Sequence, residues 1–262
     1  MSAPRMPALF LGHGSPMNAL EDNIYTRAWG HLGETLARPK ALVVVSAHWY
    51  TRGTGVTAMD APQTIHDFGG FPQALFDTHY PAPGSPALAQ RLVELLAPVP
   101  VTLDKEAWGF DHGSWGVLIK MYPHADIPMV QLSIDSTKPV AWHFEMGRRL
   151  AALRDEGIML VASGNVVHNL RQVRWQGDQT PYPWATAFNE YVKENLNWQG
   201  PIEQHPLINY LDHQGGALAN PSPEHFLPLL YVLGTWDGKE PVSIPTDGIE
   251  MGSISMLSVQ VG

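Results

Sequence analysis

Three apolar runs in this 262-residue chain stop on a histidine. Ala8-Leu-Phe-Leu-Gly leads into His13, Val43-Val-Val-Ser-Ala into His48, and Leu160-Val-Ala-Ser-Gly-Asn-Val-Val into His168. Neutral imidazole is a ligand for zinc, iron and copper and titrates near neutral pH, so histidines brought to one place can hold a metal or move a proton. Each of them alone equally suits a hydrogen-bonded structural role; the shared placement points to a common site. With no cysteine in the chain, a metal site here is built from histidines and carboxylates. Two further candidates carry their own punctuation. In Ser222-Pro-Glu-His225-Phe, Ser222 reads as an N-cap and Pro223 as the first helical residue, which puts His225 in the first turn of a helix anchored by Phe226, Leu229 and Leu230. In Gly109-Phe-Asp-His112-Gly-Ser-Trp-Gly116, glycine beside His112 permits close approach by a ligand, or marks only a turn. His66 in Ile65-His66-Asp67-Phe68 is intermediate, and the remaining histidines read as surface or packing residues.

The elements that must present these residues are legible from pattern. Ala8–Leu11, Ala41–Val45, Met129–Leu132 and Ile158–Ala162 are continuously apolar and rich in β-branched residues, as strands buried on both faces are. Gly252–Val261 reads as a late strand. Ser85–Leu96 opens with a Ser cap and Pro, then places Leu88, Leu92, Leu95 and Leu96 on one face. Val140–Arg154 and Ala185–Leu196 repeat the helical spacing. This alternation predicts a single α/β domain spanning 1–262, with a central, largely parallel or mixed sheet flanked by helices on both faces. In such sheets ligands bind beyond the carboxyl ends of the strands, where His13, His48 and His168 would then converge. The Pro- and Gly-rich stretches Asp60–Pro72, Tyr80–Gly84 and Asp178–Pro183 read as surface loops over that edge; Trp49, Phe68 and Trp115 could wall an aromatic ring, and as aromatics they suit the core better.

Composition narrows the partners. Twenty-five acidic against 16 basic residues give a net charge of -9, which disfavours nucleic acid and anionic membrane surfaces. No apolar run approaches the ~20 residues that cross a bilayer, and the N-terminus lacks the apolar core of a signal peptide. The absence of cysteine fits a reducing compartment, and the chain is expected in the cytoplasm. Oligomeric state is not readable from these features.

Taken together, Gly12-His13-Gly14-Ser15-Pro16, Ser46-Ala47-His48-Trp49, Ile65-His66-Asp67-Phe68-Gly69-Gly70-Phe71-Pro72, Asp111-His112-Gly113, Asn165-Val166-Val167-His168-Asn169-Leu170 and Glu224-His225-Phe226 resemble the class III extradiol ring-cleaving dioxygenases. The likeness is to the branch named after DOPA 4,5-dioxygenase, and it covers nearly the whole chain. It implies a non-haem metal at the carboxyl edge of the sheet. His13, His48 and His225 match the metal-binding positions. His168 matches a histidine beside the metal that serves as acid and base and is sometimes counted as a ligand, and His112 matches a position near bound substrate. Relatives of the protocatechuate type use two histidines and a glutamate, whereas here His225, with Glu224 beside it, takes the third place. The implied reaction opens the ring of a DOPA-like catechol with O2 to a semialdehyde and calls for Fe(II), although a three-histidine site also suits zinc. Two other functions fit the same residues: a zinc hydrolase acting through activated water with His168 as base, and a metal or small-molecule binding protein without catalysis. A carboxylate on the substrate would need a cation, for which Arg52, Arg171 and Arg174 stand nearest in sequence to His48 and His168.

Overall fold

In the computed structural model, which describes residues 5–262, the backbone alternates between strands β1 (Ala8–Gly12), β2 (Ala41–Thr51), β3 (Thr54–Thr57), β4 (Val101–Asp104), β5 (Met129–Asp135) and β6 (Ile158–Gly164) and the helices that connect them. Four short strands close the chain: β7 (Val242–Thr246), β8 (Ile249–Glu250), β9 (Ile254–Ser255) and β10 (Ser258–Val261). Among the described residues one eight-stranded sheet runs in the order β4-β3-β5-β2-β6-β1-β10-β7, and β8 pairs with β9 apart from it. The centre, β5-β2-β6-β1, is parallel. Antiparallel pairings of β3 with β5 and of β10 with β1 and β7 make the whole sheet mixed.

The period of two along each central strand explains why both faces are covered. Phe10, Val43, Val45, Leu132 and Leu160 point into one core, while Leu9, Leu11, Leu42, Val44 and Val161 point into the other. The first core is completed by α3 (Pro86–Leu96), α5 (Val140–Asp155), α6 (Pro183–Glu194) and α8 (Leu227–Gly234). The second is completed by α1 (Ile24–Thr35) and α4 (His112–Met121). Single turns of helix, α2 (Gln73–Phe76) and α7 (Gly216–Ala219), lie in the longer connections. Ser85 caps α3 as its sequence predicts, accepting the Leu88 N–H. Among the described residues no helix is long and apolar enough to cross a membrane.

Three expectations change. β2 does not stop at Val45: it continues to Thr51 and spends five residues from Val45 to Tyr50 while β5 spends two from Leu132 to Ile134. His48 therefore rides on a bulge, which re-aims side chains out of the ladder. The late strand is two pieces, β9 and β10, interrupted at Met256 and Leu257. The helix read from Ser222 begins instead at Leu227. The Ser222 hydroxyl bonds Glu224 rather than a backbone N–H, and the N–H groups of Phe226 and Leu227 both close a turn on the Pro223 carbonyl. Pro228 takes the first-turn place that suits proline.

Candidate metal centre

The parallel order β2-β6-β1 brings the carboxyl ends of three strands side by side, and each delivers a histidine. His13 is the residue after β1, held by its N–H to the Gly164 carbonyl at 3.1 Å and by Asn18, which donates to the His13 carbonyl at 3.0 Å. His48 comes from the β2 bulge. His168 follows β6 by four residues, with its N–H on the Ala219 carbonyl at 2.8 Å. His225, in the turn before α8, reaches the same edge because Asn165 N–H binds the His225 carbonyl at 2.9 Å. His112 opens α4, whose N-cap Asp111 is fully buried and accepts the Ser114 N–H at 3.1 Å. Five imidazoles thus face one cavity of about 260 Å³.

Their nitrogens are oriented by what surrounds them. One oxygen of Asp67 lies 2.9 Å from His112 Nδ1 and also accepts the His112 backbone N–H at 2.9 Å, while the other lies 3.2 Å from His48 Nδ1. These two imidazoles, with the charges of both rings, hold the Asp67 carboxyl well below the usual carboxylate range against the opposing effect of its burial. An ionised carboxylate only accepts hydrogen bonds, so both Nδ1 atoms carry hydrogen, and in the neutral ring this leaves Nε2 as the lone-pair nitrogen on the cavity side. His13 is fixed by its Nδ1, 2.9 Å from Ser163 Oγ. Its Nε2 stands 3.3 Å from His48 Nε2. This separation is that of a hydrogen bond between the rings when one of them carries its hydrogen on Nε2, and equally that of two nitrogens on a single ion at ~2.0–2.1 Å.

His225 gives an independent indication. It is 6% exposed, yet neither ring nitrogen has a hydrogen-bond partner, the nearest carboxylate being Glu224 at 3.4 Å from Nδ1. Leaving a buried polar group unpaired costs ~1–3 kcal/mol, a cost that a metal ion would remove. Its ring stacks on His168, with centroids 3.5 Å apart and planes 7° from parallel. Centroids of His225 lie 5.4 Å from His13 and 5.1 Å from His48. Among the described residues the group whose donor atoms all fall within 4.8 Å of one another is His13, His48 and His112, so here His112 rather than His225 stands third in the cluster. The donor set fits a resident first-row metal ion: His13, His48 and His112 are each held at Nδ1, and His225 has both ring nitrogens unpartnered.

Burial holds His13 and His225 well below the ordinary imidazole range, with the neighbouring rings adding to it. Burial and the His48 charge push His168 down to about 4, so that it is a neutral proton acceptor at pH 7. His48 alone moves upward: its burial opposes the cation, but the Asp67 hydrogen bond and the charges of Asp111 and Glu224 outweigh that.

Asp67 is the residue that reading for histidines passes over. It lies in the Asp60–Pro72 stretch read as a surface loop, and the signal was its position directly after His66. The aromatic residues resolve as expected in part. Trp115 is fully buried with its Nε1–H on the Ile65 carbonyl at 2.8 Å, whereas Trp49 stacks on Trp108 along a separate groove that Arg52 lines. Arg174 is turned away onto the Tyr182 ring at 4.0 Å and the Thr180 carbonyl at 2.7 Å. Of the glycines around His13, Gly14 lines the cavity, whereas Gly12 answers to packing. A Cβ on Gly12 would meet the Leu257 carbonyl at 2.7 Å, and Gly14 has φ of +60° in the turn that follows.

Residues 7–262 match the family described as the catalytic LigB subunit of aromatic ring-opening dioxygenase. The chain is 83% identical over 262 residues to a protein of Escherichia coli (strain K12) named 4,5-DOPA dioxygenase extradiol, covering 100% of this chain and 97% of that one. A protein of the same name from Beta vulgaris is 38% identical over 234 residues, 86% of this chain and 85% of its own length. A crystal structure of an Escherichia coli K12 protein superposes with a TM-score of 0.90 at 79% identity, covering 98% of this chain and 100% of that chain.

Proposed function

Because the chain belongs to the LigB family of aromatic ring-opening dioxygenases, we propose that it opens a DOPA-like catechol with O2 using Fe(II) held by His13, His48 and His225. Residues 1–262 form the single catalytic domain in this reading, and the cytoplasm is its compartment, in keeping with the absence of cysteine. The observation that carries it is the cluster of imidazoles whose outer nitrogens are tied by Asp67 and Ser163 and whose inner edges are free, together with the two unpartnered nitrogens of His225. Bound Fe(II) would supply the electron transfer between catechol and O2 that ring cleavage requires.

The protein's own contribution is to place and move protons. His168, neutral and facing the cavity, accepts a proton from one catechol hydroxyl as general base and returns it as the ring opens. His112, whose Nδ1–H is committed to Asp67, offers Nε2 as an acceptor and so fixes the orientation of a substrate hydroxyl. Buried walls keep bulk water from the reacting carbons. The carbon–carbon bond beside the diol breaks, and both oxygen atoms of O2 enter the product, giving an aldehyde and a carboxylate. A zinc hydrolase or a non-catalytic binding protein is not favoured by a family of ring-opening dioxygenases.

The test combines oxygen uptake with metal analysis on protein reconstituted anaerobically with Fe(II). DOPA is expected to drive oxygen consumption and the appearance of a coloured semialdehyde; no uptake with DOPA, catechol or any alkylcatechol sinks the assignment. His168→Ala should keep metal stoichiometry and lose turnover, and metal loss would make His168 a ligand. His225→Ala should lose metal while Glu224→Ala keeps it, and the reverse would transfer the third ligand to Glu224.

A further inference from the structure

A second cavity, of about 330 Å³, opens where α5, the end of α6 and the end of α8 meet. It lies away from the metal centre. His225 precedes α8, whereas Leu233, Trp236 and Asp237 line this cavity at the other end of that helix, which at 8 residues is about 12 Å long. The walls are aromatic, from Phe144, Trp198 and Trp236. Both indole N–H groups are committed elsewhere, Trp198 Nε1–H to the Pro201 carbonyl at 3.2 Å and Trp236 Nε1–H to the Glu240 carbonyl at 2.8 Å. What these rings offer the cavity is therefore carbon and π-surface. His205 supplies a fixed donor. It is 4% exposed, and its ring stands edge-on to Phe144 with centroids 5.3 Å apart. Its Nδ1 accepts the Leu207 N–H at 3.2 Å, so in the neutral ring the hydrogen sits on Nε2. Burial pushes this imidazole down to about 4 and keeps it neutral at pH 7. Among the described residues nothing accepts a hydrogen bond from Nε2–H, the nitrogen left to face the cavity. A buried donor without an acceptor costs ~1–3 kcal/mol, which an acceptor on a bound molecule would remove.

We infer that this cavity is a second small-molecule site, which takes an uncharged planar aromatic through a carbonyl or other neutral acceptor on His205 Nε2–H. Its volume is that of a ligand pocket, and an aromatic molecule gains by leaving water to pack against Trp198, Trp236 and Phe144. The fixed donor sets the orientation, because an acceptor placed anywhere else leaves Nε2–H unpaired. An anion is disfavoured, since among the described residues the only charged side chain lining the cavity is Asp237, a carboxylate. A cation could meet Asp237 and the aromatic faces but has nothing to accept from His205. The site stands apart from ring cleavage and does not depend on the catechol reading of the histidine cluster.

The experiment titrates zinc-loaded protein by calorimetry with three probes: coumarin, which carries a carbonyl, naphthalene, of similar shape without an acceptor, and N-methylquinolinium, a planar cation. His205→Phe keeps a buried ring and removes the donor. It is expected to weaken coumarin roughly 3- to 10-fold, the worth of one neutral hydrogen bond, and to leave naphthalene unchanged. In protein carrying nitrogen-15-labelled histidine, coumarin should move the Nε2 resonance of His205, identified as the one missing from His205→Phe. Trp198→Ala, at a half-buried position on the wall, should weaken both neutral probes, and it locates the site even if His205→Phe fails to fold. Four results overturn the inference: no binding of coumarin to the wild type, coumarin bound by His205→Phe as by the wild type, coumarin bound by Trp198→Ala as by the wild type, or N-methylquinolinium bound more tightly than coumarin. None of them bears on ring cleavage.

Discussion

At the scale of single residues, Asp67 decides which edge of two imidazoles faces the cavity. Its oxygens take the Nδ1–H of His48 and of His112, so one carboxylate sets a candidate ligand and a candidate substrate contact together. Asp67→Asn replaces one acceptor oxygen with an NH2 group, which must face an Nδ1–H or force one ring into the other tautomer. The expected result is a loss of about 10- to 100-fold in metal affinity, read by competition with a chelator of known affinity; unchanged affinity would mean that packing alone orients the rings. The histidines themselves were legible in the sequence because an apolar run ending on a polar residue is a local pattern. Asp67 was not, because nothing within its own segment shows that Asp60–Pro72 folds inward onto residues 19 and 45 positions away.

At the scale of elements, the end of β6 governs how near the turn before α8 can come. A Cβ on Gly164 would lie 2.2 Å from the His225 carbonyl oxygen, so only glycine lets that turn seat against the strand. Gly164→Ala is expected to push the His225 segment outward, at a cost of about 1–3 kcal/mol in stability. It should also weaken metal binding, seen as a lower melting temperature and a smaller stabilisation on adding zinc. A variant that melts like the wild type and still gains the full zinc increment would show that the turn has room to shift. The same turn explains why the helix start was misread. Ser222 and Pro223 carry a helix-opening pattern, but the site requires His225 to stand ahead of the helix, and Pro228 opens it instead. His48 follows an apolar run in sequence but lies on a bulge within a longer strand, since pairing of Tyr50 and Thr51 with β5 resumes beyond it. Bulges are settled by the partner strand's register, which the strand's own residues do not carry.

At the scale of the whole molecule, the two-sided core buries histidines that have no part in the cavity. His143, with Nδ1 3.0 Å from the Tyr231 hydroxyl, and His205 are both pushed down to about 4 by burial. The unfolded imidazoles take up protons near pH 6.5. Their contribution to stability is thus complete above that pH and declines as the pH falls from about 6.5 to 4, by on the order of 2–3 kcal/mol per group at most. The melting temperature should fall over this interval, and in the double variant His143→Gln, His205→Gln the slope should flatten; an unchanged slope would move the acid sensitivity to other groups. Arg154 shows the same dependence on long-range assembly. It closes the helical spacing of Val140–Arg154 and is fully buried, bonding Met6, Thr235 and Val261 carbonyls and Glu240. The α/β class, the central parallel strands, three helices and the candidate histidines follow from periodicity and punctuation, because burial on a strand or helix repeats at 2 or 3.6 residues and leaves a local trace. The antiparallel outer strands and the Asp67 bridge follow only from the folded chain. Each joins residues distant in sequence, and a contact between such residues has no period for a single segment to display.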